Sequence, residues 1–128
     1  KAEVGLQVAA VDYNGWDHHA FQGAAEGTMA SMLREVSASV GAFAADLGPR
    51  MDRTVVLVMS EFGRTVRENG NNGSDHGHGG LMLLVGGPVR GGKLYGKWKG
   101  LERGTLFEAR ALPVYTDFRD VFAETLQS

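Results

Sequence analysis

The spacing of apolar and polar positions divides the chain into five candidate elements. Val4–Val11 (VGLQVAAV) is a short, mostly apolar run and reads as a buried strand. From Thr28 to Leu47 the period changes. Met29, Met32, Leu33, Val36, Val40, Phe43, Ala44 and Leu47 recur at three- and four-residue steps, which is the stripe of an amphipathic helix. Gly48-Pro49 ends it, because glycine suits a helix C-cap and proline cannot continue the ladder. Val55–Met59 and Leu81–Val85 are apolar runs without alternation, as expected of strands covered on both faces. A last helix is expected from Asp117 to about Leu126, with Asp117 as N-cap and Phe118, Val121, Phe122 and Leu126 on its apolar side.

Strand, helix, strand, loop, strand, helix is the rhythm of an α/β fold, a mostly parallel sheet flanked by helices. Residues 1–128 form one such domain, long enough for a core and too short for two. Ligand sites in these sheets form at the carboxyl ends of strands. The segments after Val11, Met59 and Val85 are therefore where chemistry is expected.

Composition narrows the choice. Thirteen Lys and Arg against fifteen Asp and Glu give a formal net charge of -2, unlike the basic face of a nucleic-acid binder, so no nucleic-acid partner is expected. Mean hydropathy is -0.17, and no apolar run approaches the roughly 18 residues of a membrane span. Cysteine is absent, which excludes disulfides, thiolate metal sites and a cysteine nucleophile, and suits a cytoplasmic or an exported protein equally. The first residue is Lys1 and no signal-like segment follows, so a fragment or processed product is expected. Glycine is the outlier. Thirteen of the nineteen lie between Gly63 and Gly104, making the middle of the chain rich in loops.

All four histidines lie in two of the strand-end segments, as two close pairs, each beside an aspartate: Asp17-His18-His19 and Asp75-His76-Gly77-His78. Imidazole and carboxylate without thiol suit Zn, Mn or similar divalent ions, and a ligating histidine needs a further acceptor to orient it. Glu61, just past Val55–Met59, is a strand-end acid that either joins such a site or faces water. Arg64 is an anion clamp or a surface ion-pair partner. The glycine-rich stretch 70–80 lacks the Gly-Lys-Ser/Thr ending of a phosphate loop and the G-x-G-x-x-G spacing of a dinucleotide fold. Gly91–Lys99 (GGKLYGKWK) is basic and aromatic, and reads as an exposed turn or as a contact for a glycan or an anion.

Five motifs in order, GWDHH (15–19), MSEFGRT (59–65), NGNNGSDHGHGG (69–80), VGGPVRGGKLYG (85–96) and LPVYTDFRDVFAE (112–124), resemble the bacterial domain-of-unknown-function family 1501. Its members look like relatives of sulfatases and alkaline phosphatases. The resemblance runs from Val4 to the end and implies the C-terminal segment of a larger, alkaline-phosphatase-like α/β domain. It also implies a periplasmic or exported home, since such proteins often carry a twin-arginine export signal. The implied activity is metal-dependent hydrolysis of phosphate or sulfate esters, of small molecules or glycans. Asp17, His19, Glu61 and His76 are then the metal ligands, for Zn, Mn, Ca or Mg, with Asp12 a rival to Asp17. Arg64, Asn69, Asp75 and His78 line the substrate or support the ligands. Phe62 stands where relatives in the wider superfamily carry a ligand, and the nucleophile belongs to an early strand outside this sequence. The alternative is a decayed, non-enzymatic binding or cell-envelope structural protein on the same fold. The strand-end rule brings His19 and His76 into one cleft, within about 8–9 Å of each other.

Overall fold

A computed structural model describes residues 4–127. Helix α1 spans Thr28–Leu47, a 3-10 turn Gly48–Arg53, strand β1 Val55–Val58, strand β2 Leu83–Gly86, a second 3-10 turn Arg103–Thr105, and helix α2 Phe118–Gln127. Helix α1 has the bounds its periodicity predicts. Gly48 closes it, its N–H bonding to the Ala44 carbonyl. Of its apolar stripe, Met29, Met32, Val36, Val40, Ala44 and Leu47 are half-buried, whereas Leu33 and Phe43 face solvent. Asp117 caps α2 as expected, its Oδ1 accepting the backbone N–H of Arg119 at 2.9 Å.

Strands β1 and β2 pair antiparallel, with Val55 opposite Gly86 and Val58 opposite Leu83. Among the described residues the sheet is this one antiparallel pair. The expected first strand is a correction. Val4–Val11 is irregular, with Val4, Leu6, Val8 and Val11 all more than two-thirds exposed. An apolar run becomes a strand only where a neighbour completes its hydrogen bonds and covers its side chains, and here neither is supplied. The basic segment 91–99 is likewise irregular and exposed, with Tyr95 donating to the Arg90 carbonyl at 2.9 Å.

Beyond β1 the chain is organised by loops rather than by sheet. Residues 63–66 are flanked by 75–78 on one side and 110–111 on the other. Thr65 N–H donates to the Asp75 carbonyl at 3.0 Å, and Val66 N–H to Arg110 at 2.9 Å. The 74–79 segment continues to 112, through Gly79 N–H to the Leu112 carbonyl at 2.6 Å. Burial falls partly at this junction, at Ser74 and Ala111, and partly on α1, at Ala30. Ala111 and Ala30 are the buried apolar residues among those described, with His18 and Ser74 the buried polar ones.

Candidate metal centre

Two loops build the site, and the backbone joins them before any side chain does. Ser74 N–H donates to the His18 carbonyl at 3.0 Å, Phe21 N–H to Asn71 at 3.0 Å, and Gln22 N–H to Asn72 at 2.9 Å. The Ser74 hydroxyl adds a 2.5 Å bond to Gln22 Oε1. Glycine is required at Gly73, where these loops meet, and at Gly77, where the second loop meets the Arg64 segment. A Cβ on Gly73 would lie 2.4 Å from the His19 carbonyl carbon, and one on Gly77 2.5 Å from the Arg64 carbonyl carbon. Part of the glycine excess in the middle of the chain is thus the means by which the histidine-bearing loops touch.

Three ligand atoms converge at this seam. His76 Nε2 lies 2.9 Å from Asp17 Oδ1, His19 Nε2 lies 3.1 Å from the same oxygen, and the two Nε2 atoms are 3.1 Å apart. The rings of His19 and His76 are 4.8 Å apart, inside the distance expected from the strand-end rule. All three side chains are exposed, so the group opens to solvent.

Each ligand is held from behind. His19 Nδ1 lies 3.2 Å from Asp75 Oδ1, and in the tautomer with the ring proton on Nδ1 the Nε2 lone pair faces Asp17 and His76. This is the carboxylate–histidine arrangement that orients a metal-ligating imidazole. Asn69 Nδ2 fixes Asp75 in turn, donating to the same Oδ1 at 2.9 Å and to the His19 carbonyl at 3.0 Å. Its own Oδ1 accepts the N–H groups of Asn71 and Gly73. Arg64 straps the loops together. Nη1 donates to the Ser74 carbonyl at 2.9 Å, and Nη2 to the Trp16 carbonyl at 3.1 Å and to Asp17 Oδ1. Hydrogen bonds from His76 first and Arg64 second hold the Asp17 carboxyl below the usual carboxylate range. Those from Asn69 and then His19 do the same for Asp75.

The structure therefore gathers Asp17, His19 and His76, with Asp75, Asn69 and Arg64 against them. Glu61 is exposed and outside this group. His78 turns away and stacks on Phe107, ring centroids 4.1 Å apart. Phe62 packs on the His76 ring at 4.3 Å and walls that side of it. Two further residues belong to the surroundings, and only the first carries no sequence signal. Arg110, distant in the chain, donates to the His76 carbonyl at 3.3 Å. His18 is buried between two site residues, both ring nitrogens without a hydrogen-bond partner. Its place in a histidine pair identifies it as a candidate, but spacing does not say which of two adjacent histidines turns inward.

Asp17, His19 and His76 fit a divalent cation in kind as well as in place. They are one carboxylate oxygen and two imidazole nitrogens, one of them on a ring whose other nitrogen faces the Asp75 carboxylate. Among the described residues no other group of three acids and histidines converges in this way, and no helix is long and apolar enough to cross a membrane. No curated protein and no solved structure matches the chain. The family described as "Protein of unknown function (DUF1501)" matches residues 1–128, and the chain belongs to it.

Proposed function

We propose that this chain carries the metal-binding part of a metal-dependent hydrolase of phosphate or sulfate esters. The observation that supports the reading most is the convergence of Asp17 Oδ1, His19 Nε2 and His76 Nε2, with Asp75 behind His19. Asp17, His19 and His76 would hold a divalent ion, which would supply Lewis acidity to an ester oxygen. The chain's own contribution is positional. Asp75 and Asn69 fix the His19 ring, Arg64 fixes Asp17 while joining the loops, and Phe62 limits the swing of His76. The same reading carries an alkaline-phosphatase-like α/β fold with a mostly parallel sheet, small-molecule or glycan esters as substrates, and a periplasmic or exported location.

A second reading is favoured by a separate observation. Glu61 lies outside the trio and Phe62 covers one face of His76, as in a site that has lost donors and serves binding or envelope structure. Elemental analysis of the protein, with a screen of phosphate and sulfate monoesters, separates the two. Hydrolysis that disappears on chelation and returns with added ion supports the hydrolase. Bound metal without turnover of any ester supports the second reading.

A further inference from the structure

Asparagine is followed by glycine three times, at 14–15, 69–70 and 72–73. A glycine in that place leaves its backbone nitrogen unshielded by any side chain, so the nitrogen is free to close on the preceding amide. By sequence the three pairs are equivalent. The structure separates them by what holds the two reacting groups.

Asn69 is tied through both atoms of its amide. Nδ2 donates to Asp75 Oδ1 and to the His19 carbonyl, and Oδ1 accepts the N–H groups of Asn71 and Gly73. Turning its Cγ toward the Gly70 nitrogen breaks these bonds. At 72–73 the attacking group is the restrained one. Gly73 is buried, and its N–H is held by Asn69 Oδ1 at 3.1 Å. Asn14 and Gly15 are both exposed, in a segment without regular structure. Among the described residues none hydrogen-bonds the Asn14 amide or the Gly15 N–H. The segment is tethered on either side of them. The Tyr13 hydroxyl donates to Glu35 Oε2 on α1 at 2.6 Å, and the Trp16 carbonyl accepts from Arg64 Nη2 at 3.1 Å.

We propose that Asn14-Gly15 is a site of spontaneous deamidation and isoaspartate formation, and that conversion there disturbs the segment presenting Asp17. The Gly15 nitrogen gives up its proton and attacks Asn14 Cγ. The new C–N bond closes a succinimide as the Cγ–Nδ2 bond breaks, and the amide nitrogen leaves with that proton as ammonia. Water then opens the ring at Cγ, leaving aspartate, or at the former Asn14 carbonyl carbon, leaving isoaspartate. Either product adds a negative charge three residues before Asp17. Isoaspartate also routes the main chain through Cβ and Cγ, adding a carbon between the Tyr13 and Trp16 tethers. The conversion stands apart from the metal reading above, whereas its effect at Asp17 rests on that reading.

The chelator-treated protein is aged at mildly alkaline pH beside a sample kept in urea. Both are mapped by tandem mass spectrometry, with isoaspartate labelled by its methyltransferase. In the folded protein Asn14 is expected to convert about tenfold faster, or more, than Asn69 and Asn72, because those sites must first break hydrogen bonds. In urea the three rates converge. Asn14→Gln, whose longer side chain closes a less favourable ring, loses the fast conversion. Conversion of Asn69 or Asn72 as fast as Asn14 in the folded protein, or equal protection of all three, overturns the proposal. The converted fraction is then separated by ion exchange and titrated with Mn(II), with weaker uptake than the unconverted protein expected. Equal uptake overturns the link to Asp17 and leaves the modification standing. No uptake by either fraction overturns the metal reading and the link together, while the mapped conversion stands.

Discussion

Replacing Asp75 with alanine removes the oxygen that orients His19 without touching any of the three converging ligand atoms. In the folded chain that oxygen accepts two bonds, from His19 Nδ1 at 3.2 Å and from Asn69 Nδ2 at 2.9 Å. Without it the imidazole proton no longer has a partner at Nδ1. It can then sit on Nε2, where it blocks the lone pair aimed at the ion. The ring is also free to turn about its χ2 angle, because its other neighbours, His76 and Asp17, lie on the ligand side. Loss of such an orienting carboxylate costs roughly 10–100-fold in metal affinity. Asp75→Asn keeps a carbonyl oxygen able to accept from Nδ1 and loses only its charge, so its affinity falls less than that of the alanine variant. Calorimetric titration of chelator-treated wild type, Asp75→Asn and Asp75→Ala with Mn(II) gives the order directly. Equal affinities for wild type and Asp75→Ala, with both proteins folded, refute the orienting role.

Gly73→Ala pushes a methyl group into the His19 carbonyl, which sits 2.4 Å from the Cβ position; the strain is about 1–3 kcal/mol, read as a lowered urea midpoint together with weaker metal uptake. His78→Ala leaves metal affinity within twofold of wild type by the same titration, because that ring stacks on Phe107 rather than joining the trio. Arg64→Ala weakens metal binding at least tenfold by parting Trp16, Asp17 and Ser74; unchanged affinity contradicts the strap. The Asp117 cap has a pH signature. Its carboxyl is lowered to about 2, chiefly by the Arg119 side chain and then by the Arg119 backbone N–H. A depressed carboxylate stabilises the folded chain above its unfolded value near 4, and the contribution is lost as pH falls through about 2. Helicity of α2 should therefore decline across that window in wild type and be lower but flat in Asp117→Ala, as followed by circular dichroism.

The helices were legible because their signals are local. Thr28–Leu47 declares itself by period and by Gly48-Pro49, and Asp117 by its place ahead of Phe118 and Val121. Val55–Val58 and Leu83–Gly86 were found within a few residues, since β-branched and leucine runs are dense there. The segment 4–11 was misread because it has the same density with no partner to pair with, and partnership is not written in the run itself. In the site, clustering marked both histidine pairs with Asp17 and Asp75 and left open which aspartate is ligand and which orients, while the choice of Asp17, His19 and His76, with Glu61, came from the family resemblance. Which neighbour turns away was not legible. His18 and His19 are adjacent, yet one is buried and the other joins the trio. His76 and His78 are two apart, yet Phe107 captures the second. Those outcomes depend on Gly73 and Gly77, which set how closely the loops approach, and on long-range partners such as Arg110.

The central claim is that Asp17, His19 and His76 are one ligand set, and paired titrations test it most directly. Chelator-treated wild type and the His76→Gln variant, each shown to be folded by circular dichroism, are titrated with Mn(II) under identical conditions. The account predicts saturable uptake by the wild type and none by the variant. Identical isotherms for the two proteins, or no uptake by either, would contradict it.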